Sequence, residues 1–253
     1  MSKNAILCAF NCSNTSPCTT WAEELFASPP TIVALEGGSS STFKQTGAKF
    51  TTNPHAWLQA RKVDGKVAVV TFSAGWGFID TVMRNPPARD LVDAVILLDG
   101  LHCSVSTLDP WVAYAKRAAM GGDSMPLLML VHSRIVPPYT SAKATNTTVY
   151  EGGVLQCPYP GPRMEHPEMT RVTLDAPITI SSAYGSRTWK KDPLAEWHGA
   201  GNLYRYEYEG GDAPTHIYLA KHVQPRAWKV LAKRWNGANV EGCEAWRGSG
   251  REE

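Results

Sequence analysis

Ser73 is the residue of this 253-residue chain around which chemistry is most readily built. It stands in Thr71-Phe72-Ser73-Ala74-Gly75, at the end of the β-branched run Val67–Phe72 and directly before a helix-like stretch over residues 75–84. An alcohol is a poor nucleophile at neutral pH. It needs a neighbouring base, and the base needs a carboxylate that fixes its tautomer and stabilises its charged form. Two blander roles suit a serine before a helix: capping the helix, or binding phosphate at its start. A second constellation, Asp99 and His102 in Asp99-Gly100-Leu101-His102 together with His132, offers a carboxylate and two imidazoles to a metal ion. That set would make the chain a metal-dependent deacylase with Ser73 as a bystander, but its spacing is loose, and only the Asp99/His102 pair is local. Cys8, Cys12 and Cys18 lack the paired two-residue gaps of a zinc knuckle, and Cys8 falls inside an apolar run, so no metal is expected there.

The elements that must carry these residues follow from the pattern of apolar runs. Ala5–Phe10, Thr31–Leu35, Val67–Phe72 and residues 94–98 and 127–131 are short apolar stretches separated by helical ones, the pattern of parallel strands buried on both faces and joined by crossover helices. Helices are expected over residues 19–27, 54–61, 75–84 and 110–120, bounded by Pro29–Pro30, Asp64–Gly65, Pro86–Pro87 and Gly121–Gly122. Residues 133–202 break the rhythm with Pro, Gly, Thr and Tyr. A structureless loop of that length does not fit a compact domain, so this stretch is expected to be a cap- or lid-like insertion with some structure of its own. The rhythm then returns, with Leu203–Tyr208 as a half-exposed strand and residues 214–235 as a helix broken at Pro225. The expectation is one α/β domain over 1–253, with about six mostly parallel strands and helices on both faces of the sheet.

The Ser73 segment, in this strand–turn–helix setting, resembles the nucleophile elbow G-x-S-x-G of the α/β-hydrolase superfamily. Such a turn is strained and packs strand and helix closely, so it needs small neighbours. Ala74 and Gly75 meet that need, whereas Thr71 stands where the superfamily usually has glycine. The order of elements around Ser73 resembles the same core over nearly the whole chain. The resemblance implies a triad in the chain order serine, acid, histidine. It assigns His216, entering the last helix, as base, with His222 as the competitor six residues on. It assigns Asp99, at the end of the fourth apolar run, as acid. The position one strand later, where the superfamily usually has its acid, reads His132-Ser133-Arg134 and holds no carboxylate; Asp175 and Asp192 are the other candidates. It further implies an oxyanion hole from the backbone N–H of Ala74 and one from Asn11 or Cys12 after the first strand. Trp76, His102 and His132 are expected to line the substrate pocket, with packing beneath the insertion as the alternative for Trp76.

A net charge of +2, spread along the chain, gives no reason to expect nucleic acid or an acidic membrane as partner. The start MSKNAILCAF lacks the form of a secretory signal and no apolar run reaches bilayer length, so a cytoplasmic protein with its six cysteines as thiols is expected. The function implied is a serine hydrolase acting, without cofactor, on an ester or less readily an amide of a small molecule or a polymer-linked acyl group. The alternative from a different class is a non-catalytic binding protein on the same scaffold.

Overall fold

A computed structural model describes residues 4–10, 16–35, 53–60, 65–100, 109–133 and 167–236. The apolar runs form β1 (Ala5–Phe10), β2 (Thr31–Leu35), β3 (Val67–Phe72), β4 (Val92–Leu98) and β5 (Leu127–Ser133), and the stretch after the insertion forms β9 (Leu203–Tyr208). All pair in parallel, in the order β2-β1-β3-β4-β5-β9. Successive side chains of a strand enter opposite cores, which is why the sequences of β1 to β5 read as nearly continuous apolar runs. Ile6, Val70, Ile96 and Met129 face one core, beneath α1 (Ser16–Leu25) and α7 (Gln224–Asn236). Leu7, Val69, Val95 and Leu130 face the other, beneath α2 (Pro54–Gln59), α3 (Trp76–Met83) and α5 (Asp109–Met120). The short α4 (Pro86–Arg89) packs beside α2 and α3. The molecule is thus a mixed α/β protein with helices on both faces of a mostly parallel sheet.

Local chemistry explains where the helices start. Asn53 and Asn85 cap α2 and α4, each accepting a backbone N–H three residues on at 3.0 Å, with a proline in the first helical turn where no N–H is needed. Asp212 does the same for α6 (Ala213–Tyr218).

Two expectations change. Residues 194–200, read as part of the insertion, form β8 (Leu194–Ala200), a seventh strand that pairs antiparallel with β9 at the sheet edge. The signal was the two-residue Gly201–Asn202 turn, with Gly201 at φ 56, a left-handed conformation that costs glycine little. Within the insertion, β6 (Thr173–Ser182) and β7 (Gly185–Lys191) make a separate hairpin; residues 134–166 lie outside the described residues. The expected break at Pro225 is instead a continuous run: α6 passes through a π-helical turn, Leu219–Val223, into α7. A proline ring collides with the carbonyl four residues back, and a widened turn just before it relieves that collision without ending the helix. Among the described residues no helix is long and apolar enough to cross a membrane.

Candidate active site

Ser73 follows β3 and opens a single 3-10 turn, Ser73–Gly75, that leads into α3. Its φ is 54, in the left-handed region that a side chain makes costly. The tightness of the turn is visible at Gly75, where a Cβ would overlap the carbonyl oxygen of Ala9 in β1. Glycine is therefore required at position 75, whereas position 71 accommodates a threonine. Thr71 is fully buried, and its hydroxyl has no hydrogen-bond partner among the described residues.

Among the described residues, Asp99 is the second non-glycine residue in the left-handed region, at φ 44. Phe72 pairs with Leu98 in the β3/β4 register, so Ser73 and Asp99 leave their strands at the same level of one sheet edge. That edge is formed by the carboxyl ends of parallel strands, where ligands bind in open α/β sheets. The Asp99 backbone N–H donates to the Val131 carbonyl at 2.7 Å. Gly100 sits close by: a Cβ there would come within 3.6 Å of the Ser73 carbonyl oxygen and 3.3 Å of Trp76 Cβ.

His216 reaches the same edge from α6. Its Nδ1 lies 2.5 Å from Asp99 Oδ2, and its ring stacks on Phe72 with centroids 4.4 Å apart, against the residue preceding Ser73. Asp99 is 0 % and His216 6 % exposed, so the pair is withdrawn from water and its attraction is weakly screened. The start of α6 is secured on two sides. Asp212 accepts from Thr215 N (3.0 Å) and Oγ1 (2.5 Å), while Arg187 of β7 donates from one nitrogen to both Asp212 Oδ2 (3.4 Å) and Thr215 Oγ1 (3.3 Å). Burial works to raise the Asp212 carboxyl, but the Thr215 hydrogen bonds and the Arg187 charge outweigh it and hold it below the usual carboxylate range.

His132 is buried, with Nδ1 donating to the Ser133 carbonyl at 3.0 Å and Nε2 accepting from Arg205 Nε at 3.0 Å. Burial first, then the Arg205 charge, lower its pKa to about 4, so it is neutral at pH 7. Strand alternation puts it on the sheet face of Leu128 and Leu130, opposite to Ser133. Trp76 is half-buried against the core beneath α3, its indole N–H buried with no hydrogen-bond partner among the described residues. His222 lies on the π turn, its ring 5.0 Å from that of Tyr218, its pKa lowered by burial and by Lys221. Asp175 is exposed on the hairpin; Asp192 is buried and paired with Arg226 at 2.5 Å, also accepting from Tyr218 at 3.3 Å. Ala74 is the middle residue of the 3-10 turn, while Asn11, Cys12 and His102 lie outside the described residues. For the metal set of Asp99, His102 and His132, the geometry is unfavourable. The Asp99 carboxylate meets His216 and Ser133, and both His132 nitrogens are engaged. Among the described residues no three His, Cys, Asp or Glu side chains are gathered as a metal ion requires.

One participant escaped the sequence reading. Ser133, at the end of β5, donates its backbone N–H to Asp99 Oδ1 at 3.2 Å and lies with its hydroxyl 3.1 and 3.3 Å from the two carboxylate oxygens. The available signal was a lone hydroxyl ending the apolar strand LLMLVHS, one strand along from Asp99. No protein-family model matches this chain, and no curated protein matches it in sequence.

Proposed function

We propose that this protein is a serine hydrolase of the α/β-hydrolase kind, cleaving an ester, and less readily an amide, through a covalent acyl-enzyme. The observation that carries the reading is the buried Asp99–His216 pair, 2.5 Å apart, at the sheet edge where Ser73 is held at φ 54. Residues held in costly backbone conformations gather at reactive sites, and here two of them, Ser73 and Asp99, are neighbours. Serine, then acid, then histidine is the chain order of that superfamily, and Ser73, Asp99 and His216 follow it, with the acid one strand earlier than usual.

In this reading, Asp99 accepts a hydrogen bond from the Nδ1–H of His216, which leaves Nε2 as the basic nitrogen. Ser73 Oγ attacks the ester carbonyl carbon as Nε2 takes its proton, and the imidazolium so formed is stabilised by the Asp99 carboxylate. The tetrahedral oxyanion is held by the Ala74 backbone N–H together with a second backbone N–H, for which Asn11 is the candidate. Collapse breaks the bond to the leaving alcohol, which receives the proton from Nε2. Water, deprotonated by the same nitrogen, then releases the acid and restores Ser73. No cofactor enters the cycle. The substrate is a small ester or the acyl group of a polymer, its identity set by a pocket that the insertion helps to shape.

The test is to incubate the protein and its Ser73→Ala variant with a fluorophosphonate, and with p-nitrophenyl acetate and butyrate, recording intact mass and nitrophenol release. Labelling and turnover that vanish in the variant are expected. A folded protein that neither labels nor turns over either ester would overturn the reading and favour a binding protein on this scaffold.

A further inference from the structure

We propose that Ser133 is a positioning residue of this site, fixing the carboxylate of Asp99 so that one of its oxygens is aimed at His216. The proposal rests on the serine-hydrolase reading and adds a residue to it. Asp99 lies beyond the last residue of β4 in a strained conformation, and contacts from the neighbouring strand β5 bear on it. The Asp99 backbone is tied to Val131, and its carboxylate turns to Ser133 two residues further on.

The contacts divide the carboxylate into a held oxygen and an aimed one. Oδ1 receives the Ser133 N–H and is the nearer oxygen to the Ser133 hydroxyl; Oδ2 meets His216 Nδ1. A carboxylate has a soft terminal torsion, and donors on one oxygen restrict it. These donors also favour the charged form of Asp99, which the histidine needs if it is to carry a proton in the transition state. Ser133 is 2 % exposed, and a hydroxyl taken out of water there is costly unless hydrogen-bonded. Packing alone gives no reason for serine, because Met129 and Val131, on the same face of β5, enter an apolar core. The acid that makes its bond across a strand boundary is the group that hydroxyl satisfies.

The experiment compares Ser133→Ala and Ser133→Thr with the wild type by Ser73-dependent kcat/KM on p-nitrophenyl butyrate and by the low-field proton NMR resonance of His216 Nδ1–H, assigned by its loss in Asp99→Asn. Loss of a hydrogen bond to a charged group predicts a fall of about tenfold or more in kcat/KM for Ser133→Ala. The resonance is expected to move upfield in Ser133→Ala, and both readouts to return towards wild type in Ser133→Thr, which keeps the hydroxyl. If Ser133→Ala keeps both the wild-type kcat/KM and the wild-type resonance, or Ser133→Thr behaves as Ser133→Ala does, Ser133 does not position the acid, even though Ser73-dependent turnover stands. The opposite failure is separable: a wild type without Ser73-dependent turnover whose low-field resonance still responds to the Ser133 hydroxyl refutes the hydrolase reading and keeps Ser133 as the residue that sets the Asp99–His216 pair.

Discussion

At the residue scale, a serine with φ 54 is a cost to the fold, and removing that cost separates function from stability. Glycine adopts the left-handed region freely, so Ser73→Gly is expected to stabilise the protein by about 0.5–1 kcal/mol in urea unfolding while abolishing esterase turnover. A loss of stability instead would mean that the serine side chain holds the turn together. Thr71 makes a related point. Its buried hydroxyl meets no partner among the described residues, so Thr71→Val, nearly the same shape without the hydroxyl, is expected to leave stability unchanged or raise it by about 1 kcal/mol. Thermal melts of the two forms decide this. Thr71, Ser73 and Gly75 were each readable in the sequence as parts of one turn. Their different tolerances became visible only when Gly75 met the Ala9 carbonyl of a strand more than sixty residues away in sequence.

At the scale of elements, the hairpin β6–β7 bears on the helix that carries His216. Trp189 packs against Tyr218 with ring centroids 4.8 Å apart, tilted by 40°, and Arg187 bridges Asp212 and Thr215. The Arg187–Asp212 pair is partly exposed, 36 % and 43 %, and such pairs contribute about 0–1 kcal/mol to stability. Arg187→Ala is therefore expected to lower the melting temperature little, yet to reduce kcat several-fold by loosening the first turn of α6 ahead of His216. Equal kcat in the two proteins would show that the Asp212 cap alone holds the helix start. Behind the same helix, Arg226 joins Asp192, between β7 and β8, to Tyr208 at the end of β9, and donates to the carbonyls of Glu168 and Thr170. None of these partners was predictable from spacing, because the segments they join are far apart along the chain.

At the scale of the whole molecule, a buried neutral histidine makes stability depend on pH. His132 has an ordinary pKa of 6.5 when unfolded and about 4 when folded, chiefly through burial. Between those values the unfolded chain binds a proton that the folded protein refuses, so stability falls as pH drops from 6.5 towards 4 and this contribution levels off below 4. Urea unfolding of wild type and His132→Gln between pH 7 and pH 4 checks the sign: the variant is expected to lose part of the slope. A slope that is unchanged in the variant would assign the pH dependence to the carboxylates.

What the sequence by itself determined is the set of local elements and the place of Ser73 among them. Apolar runs buried on both faces, prolines and glycines at their ends, and a small-residue turn after Val67–Phe72 are properties of neighbouring residues, and they are written in order along the chain. Two features of this kind were read differently: β8, whose short edge strand carries weak alternation, and the turn before Pro225, where a π segment spared the helix. Tertiary structure alone decided which groups meet. Asp99 and His216 are 117 residues apart in the chain and 2.5 Å apart in space, and Ser133 reaches Asp99 across a strand boundary. Strand register and helix packing set such distances, and they depend on the whole sheet closing around two cores, which no window of sequence contains.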